Sequence, residues 1–232
     1  MQFSTLVAAF AAIPMVMGAS CPTKKIPTAT GYKALSSPSV IPKGKTVDGK
    51  YMKFDRGQSC TGQAEGGEKD TVFVLESGAT LRNVIIGAKQ REGIYCKGPC
   101  TLENVWFEDV CEDAISLKGD GTASIVGGGA LKAGDKIIQH NGCGHANIIN
   151  FYANDYGKVY RSCGNCKNNC KRTVHMQGVT AINGGELMGI NTNYGDEATY
   201  SGNCFDTKTQ CQAYNGCDKA KGECEPTKAG TC

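Results

Sequence analysis

The sequence predicts an all-β fold, a right-handed parallel β-helix with a disulfide-rich C-terminal extension. Three observations carry that expectation. Short β-prone runs recur at a step of roughly 22 residues, each beside an Asn or Gly. Helical periodicity is hard to find after the first 20 residues. Glycine supplies 31 of the 232 residues without a collagen period, which suits a chain that turns often.

The elements follow in chain order. Residues 1–20 carry no charged side chain, and Leu6 to Met17 is an apolar run that ends in small residues. It is too short to span a bilayer and interrupted by Pro14, so residues 1–19 are expected to be a secretory signal peptide. Residues 21–54 are rich in Pro, Thr and Lys and are expected to form an irregular lead-in and a first strand. From Val72 the repeat is regular. The segments ATLRNVIIG, CTLENVWFED, TASIVGGG and HANIINFYAND align through Asn83, Asn104, Gly127 and Asn150, in steps of 21, 23 and 23 residues. Second short runs (GIYCKG, DAISLKGDG, DKIIQHNG, GKVYRSCG) lie between them. Two runs per repeat suit a solenoid whose coils stack and whose Asn residues ladder at the turns; sandwich strands are longer and hairpin-linked. Residues 20–203 are assigned to this domain. Residues 204–232 hold five cysteines and few large apolar groups, so they are expected to be a stapled extension over the solenoid's end, with at least one cysteine pairing with the body.

Composition excludes several function classes. A net charge of +3 does not imply nucleic acid or a membrane surface, and no later apolar run is long enough to cross a membrane. Fourteen cysteines point to an oxidising compartment and secretion. The Cys163–Cys166 pair with Cys170 could begin a zinc site, but an even cysteine count in a secreted chain favours disulfides, as it does for Cys96 and Cys100. His140, His145 and His175 lack metal-ligand spacing and are expected at the surface or in turns. Gly127 to Gly129 form a turn, not a phosphate loop, and no Gly-x-Ser-x-Gly elbow is present.

What remains is a ladder of charges. Glu92, then Glu112 with Asp113, then Asp135 with Lys136, then Lys158 with Arg161 open equivalent runs in four successive repeats. Coils stacked ~4.8 Å apart would put like charges together on one face, which is unfavourable unless a cation holds the carboxylates.

These residues carry a resemblance. The stretch VFVLESGATLRNVIIGA…EGIYCKGPCTLENVWFEDVCEDAISLKGDG…GGGALKAGDKIIQHN…NFYANDYGKVYR resembles the small secreted pectate lyases of polysaccharide lyase family 3. It extends over about Val47 to Asn193 and is strongest over Val72 to Arg161, with FEDVCEDAISLK its most specific run. The resemblance implies a right-handed parallel β-helix that cleaves de-esterified homogalacturonan (polygalacturonate) of plant cell walls by calcium-assisted β-elimination. It places Ca2+ on Glu112 and Asp113, with Asp135 nearby and Glu92 where the family's usual Asp stands. It makes Lys136, Lys158 and Arg161 the essential basic residues and Glu65 an acidic residue of the substrate cleft. Because Arg resists deprotonation, Lys136 is expected to be the base, with Lys158 and Arg161 clamping uronate carboxylates; Arg161 as base is the rival. Lys158, Arg161 and calcium are expected to lower the Lys136 pKa, opposed by the acidic cleft, to a value still above neutrality. A monomer is expected. Two other classes compete: an inactive pectin-binding or elicitor protein, and a polygalacturonase-type hydrolase, whose Asn-Thr-Asp, Asp-Asp and Gly-His-Gly motifs are absent.

Overall fold

Short β-branched runs broken by residues that tolerate positive φ give a chain that turns a corner every few residues. In the computed structural model, which describes residues 20–232, this chain winds into a parallel β-solenoid of about eight turns. The expected signal segment, 1–19, lies outside the described residues. Helical structure is limited, among the described residues, to 3-10 turns at Glu68–Asp70, Thr192–Tyr194 and Lys219–Lys221.

Each coil contributes to three parallel sheets. One holds Ser39–Ile41, Thr71–Leu75, Glu92–Cys96, Ile115–Leu117 and the later halves of Gly129–His140, Tyr152–Ser162 and Thr180–Asn191. The repeat therefore has three strands per coil, not two runs, because the longer runs bend at a corner residue. At one corner Asn83, Asn104, Gly127, Asn150 and Gly178 all have φ between +52° and +65°. Only Gly and Asn adopt that region readily, which explains their alternation in the sequence. The Asn104 side-chain amide donates to Asn83 Oδ1 (3.3 Å) and that of Asn83 to Asp48 Oδ1 (3.1 Å), so the ladder is real.

The core is built from in-register stacks. Leu81, Leu102, Ile125, Ile148 and Met176 form one column, and Ile94, Ile115, Ile138, Tyr160 and Met188 another, all buried. Burying such side chains contributes about 1.5–3 kcal/mol each before entropy is counted.

The ends differ from the expectation. The lead-in is already a coil: Ser39–Ile41 pairs with Thr71–Leu75, and Thr46–Asp55 with Ala79–Ile86. The solenoid also continues past residue 203. Cys204–Phe205 and Thr209–Asn215 pair in parallel with Thr180–Asn191, and Thr227–Thr231 then returns antiparallel.

All fourteen cysteines are paired. Of the five in the tail, Cys211–Cys232 and Cys217–Cys224 are internal and Cys204 bonds Cys21. Cys163–Cys166, Cys143–Cys170 and Cys96–Cys100 are disulfides, as the sequence led one to expect, which leaves no thiolates for zinc. The segment after Cys21 runs along the outside of the solenoid: Lys24 Nζ donates to Asn150 O (3.1 Å), and Ile26 packs on Ile85, Trp106 and Tyr152. Gly129 lies in register with both Trp106 and Tyr152, where a Cβ would sit 2.9 Å from each side chain.

Candidate active site

The sheet that carries the charged ladder also floors a cleft of ≈ 450 Å³, walled by Glu65, Asp113, Asp135, Lys136, Lys158 and Arg161. Lys136 and Lys158 lie in strict register on adjacent coils, and Glu186 follows Lys158 on the next. Gly93 N–H donates to Asp113 O and Glu112 N–H to Arg91 O, which ties the coil of Glu92 to that of Glu112 and Asp113.

A loop brings Glu65 to this sheet. The Cys60–Cys111 disulfide and a bond from Gln63 Nε2 to Cys111 O (2.6 Å) fasten residues 57–67 over the strand ends. Gly66 N–H then donates to Glu92 Oε1 (3.0 Å), an approach that a Cβ at residue 66, 2.8 Å from that oxygen, would obstruct. The result is three carboxylates, Glu65, Glu92 and Glu112, each offering an oxygen within 4.8 Å of the others. Glu92 is 1 % exposed and Glu112 2 %. Glu65, read from the resemblance as a substrate contact only, thus joins the acidic cluster, while Asp135 stands apart from it.

The charges are strained as they stand. Burial, then the neighbouring Glu112, pushes the Glu92 carboxyl up to about 7. Burial pushes Asp113 up to about 8, against the pull of Lys136. Asp113 Oδ1 is buried without a hydrogen bond, with Lys136 Nζ 3.5 Å away. Lys136 Nζ also lies 3.6 Å from Glu112 Oε1 and 2.6 Å from Asp135 Oδ2, and Lys158 Nζ lies 2.9 Å from Asp135 Oδ1. Burial of Asp135 favours its neutral form, but these two lysines outweigh it and hold its carboxyl below the usual range.

The expected depression of Lys136 is reversed. Burial does press it toward the neutral form, but Asp113, Asp135 and Glu112 prevail and hold its pKa above the ordinary lysine value. The acidic groups that the sequence sets against Lys158 and Arg161 prevail over them.

Arg161, 6 % exposed, occupies the other end of the cleft. Its Nη1 donates to Ser162 O (2.6 Å) and Asn191 Oδ1 (3.0 Å), and its guanidinium carbon lies 3.8 Å from the centroid of the Tyr214 ring. Burial lowers its pKa from the free value. Asn191 is itself fixed: its amide donates to Ser162 Oγ (2.8 Å) and Cys163 O (3.0 Å), and its N–H to Asp196 Oδ2 (2.9 Å). Sequence reasoning missed Asn191, Asp196 and Tyr214; they lie in the last coils, where the repeat signal fades. The tail also supplies Lys219, Glu225 and Pro226 to the cleft wall. Of the histidines, His140 departs from expectation. It is buried, bonds Tyr160 OH (2.8 Å) through Nδ1, and burial lowers its pKa to about 3.

The donors suit a hard cation. A calcium ion ~2.4 Å from each ligand oxygen allows those oxygens to lie up to ~4.8 Å apart, and it selects carboxylates. Glu65, Glu92 and Glu112 meet that test, and Asp113 lies on the same coil as Glu112 with its Oδ1 facing Lys136.

The fold and site define a parallel β-solenoid protein with acidic and basic groups opposed in a cleft on one sheet. The comparisons make the class specific. The family model described as "Pectate lyase" matches residues 23–221. The chain is 56% identical over 211 residues to "Probable pectate lyase F" of Aspergillus fumigatus, covering 89% of each. It is similar to the catalytic domain of pectate lyase PelI from Erwinia chrysanthemi, with TM-score 0.72, 33% identity, and 84% of this chain and 91% of that one covered. PelI in complex with tetragalacturonic acid gives TM-score 0.70 at 33% identity, over 84% of this chain and 65% of that one. The chain belongs to the pectate lyase family.

Proposed function

We propose that this pectate lyase is a secreted, calcium-dependent enzyme that cleaves polygalacturonate by β-elimination, leaving 4,5-unsaturated oligogalacturonides. The observation that carries the reading is a cleft that sets Glu65 and Asp113, with Glu92 and Glu112 clustered behind Glu65, against Lys136, Lys158 and Arg161. The PelI complex holds tetragalacturonic acid, the chemistry such a cleft would receive. Seven disulfides support an extracellular location.

Glu92, Glu112 and Asp113, with Glu65 from the loop, would hold calcium. When bound, the ion would offset the charge of a uronate carboxylate and so make the adjacent C5 proton more acidic. Arg161 is fixed by Asn191 and Tyr214, which suits it to clamp a carboxylate rather than to lose a proton. Lys158 adds a second cation one coil away. Lys136 takes the C5 proton at Nζ; the C4–C5 double bond forms, the bond from C4 to the glycosidic oxygen breaks, and the departing oxygen takes a proton from water in the open cleft. The carboxylates around Lys136 favour its protonated form, so turnover depends on alkaline conditions that deprotonate it.

The test is the purified protein on polygalacturonate, followed by ultraviolet absorbance with calcium or with EGTA. A rise in absorbance that EGTA abolishes supports the reading. Reducing ends without absorbance would make it a hydrolase, and neither signal would make it a binding protein.

A further inference from the structure

The cysteine-rich tail does more than cover the end of the solenoid. Its strand Thr209–Asn215 places Tyr214 in register with Asn191, two coils beyond Arg161. The coil between them has glycine where the arginine column passes: Arg161 pairs with Gly189, and Gly189 with Gln212. A Cβ at Gly189 would lie 2.9 Å from Arg161 Cδ and 3.0 Å from the Tyr214 ring. The missing side chain is the gap across which Tyr214 lies on the guanidinium.

The ring is anchored at its far edge. Tyr214 OH donates to Glu186 Oε2 (2.7 Å), and Lys228 of the returning strand meets Glu186 Oε1 at 2.7 Å. Tyr214 and Lys228 are partners in the antiparallel pair that Cys211–Cys232 closes.

We infer that Tyr214 is a positioning residue for Arg161: its ring, held by Glu186 and Lys228, fixes the plane in which the guanidinium meets a uronate carboxylate, so the tail is part of the substrate site. A guanidinium stacked on an aromatic face loses little orientational freedom when it binds a planar carboxylate. The inference rests on the reading of Arg161 as a carboxylate clamp.

The experiment uses the full secreted chain. Tyr214→Leu is expected to raise the KM for polygalacturonate roughly tenfold while kcat changes less than about threefold. Tyr214→Phe keeps the ring but loses the hydroxyl's bond to Glu186, and is expected to raise KM by an intermediate amount, roughly threefold. In an Arg161→Lys background, Tyr214→Leu is expected to cost less than about twofold, because there is no guanidinium left to align. Equal losses in both backgrounds, or a Tyr214→Phe as damaging as Tyr214→Leu, would overturn the inference. If Tyr214→Leu does not fold, Gly189→Ala closes the gap instead and is expected to raise KM in the same Arg161-dependent way; an unchanged KM overturns it. A readout independent of activity separates this idea from the lyase reading: nitrogen-15 spectra of the parent should show slow rotation of the Arg161 guanidinium. Free rotation there refutes the positioning even in an active lyase, and slow rotation in a protein without lyase activity leaves it standing.

Discussion

Two buried arginines eleven residues apart in the sequence do opposite work. Arg172 spends all five N–H groups on backbone carbonyls, those of Asn141, Gly142, Cys163, Asn168 and Cys170, at 2.6 to 3.4 Å. Arg161 spends only Nη1, on Ser162 O and Asn191 Oδ1; among the described residues no protein group bonds its Nε or Nη2, and the guanidinium lines the cleft. A saturated arginine is a building part, whereas one with donors left over is prepared for a ligand. Burial alone does not distinguish the two; the count of occupied donors does.

Substitutions should separate stability from turnover along the same line. Arg172→Met strands five carbonyls and should cost about 3–5 kcal/mol in denaturant melts, with activity falling only as the folded fraction falls. A melt within about 1 kcal/mol of the parent would break the contrast. Lys136→Arg keeps the charge but resists deprotonation, so kcat should fall ~1000-fold with little change in melting. Arg161→Lys should lower kcat/KM ~100-fold and leave stability nearly intact. If Lys136→Arg keeps most turnover while Arg161→Lys is dead, the base is Arg161.

Smaller effects sharpen the picture. In EGTA, Glu92 and Asp113 titrate in the folded protein at about 7 and about 8, against roughly 4 in the unfolded chain. The folded state holds these protons more tightly, so their contribution is full below pH ~4 and is lost as pH rises to ~8. Asp113→Asn should reduce that loss by a few kcal/mol, read as a flatter Tm-versus-pH curve. An unchanged slope would show that Asp113 is not the source. Asn104→Ala places a Cβ-constrained residue at φ +52° and should cost ~1 kcal/mol, while Asn104→Gly should be near neutral.

Much of this was legible in the sequence, for physical reasons. Corners that demand positive φ mark their own period, which is why Asn83, Asn104, Gly127 and Asn150 align in the sequence alone. The same register put Lys136 and Lys158 on adjacent coils. What escaped was side-chain direction. A solenoid register gives the coil but not which way a long side chain leans, so the sequence alone does not show that carboxylates dominate Lys136. His140 sits in DKIIQHNG, whose polar neighbours suggest a turn, yet its ring points inward to Tyr160. Tyr214 was hidden because a tail dense in cysteine has little hydrophobic period to read.

The Cys21–Cys204 bond has a mechanical consequence. A linear stack of repeats can fray from either end, one coil at a time, since each repeat touches only its neighbours. Here the first described residues run outside the stack and are bonded to its penultimate stretch, across 183 residues of sequence. The covalent path is a closed ring that runs through every coil from Cys21 to Cys204, so the first coils cannot peel away without straining the last ones inside the ring. Reduction of that one bond would let the array open like an unlatched zipper, from a rim that is otherwise never free.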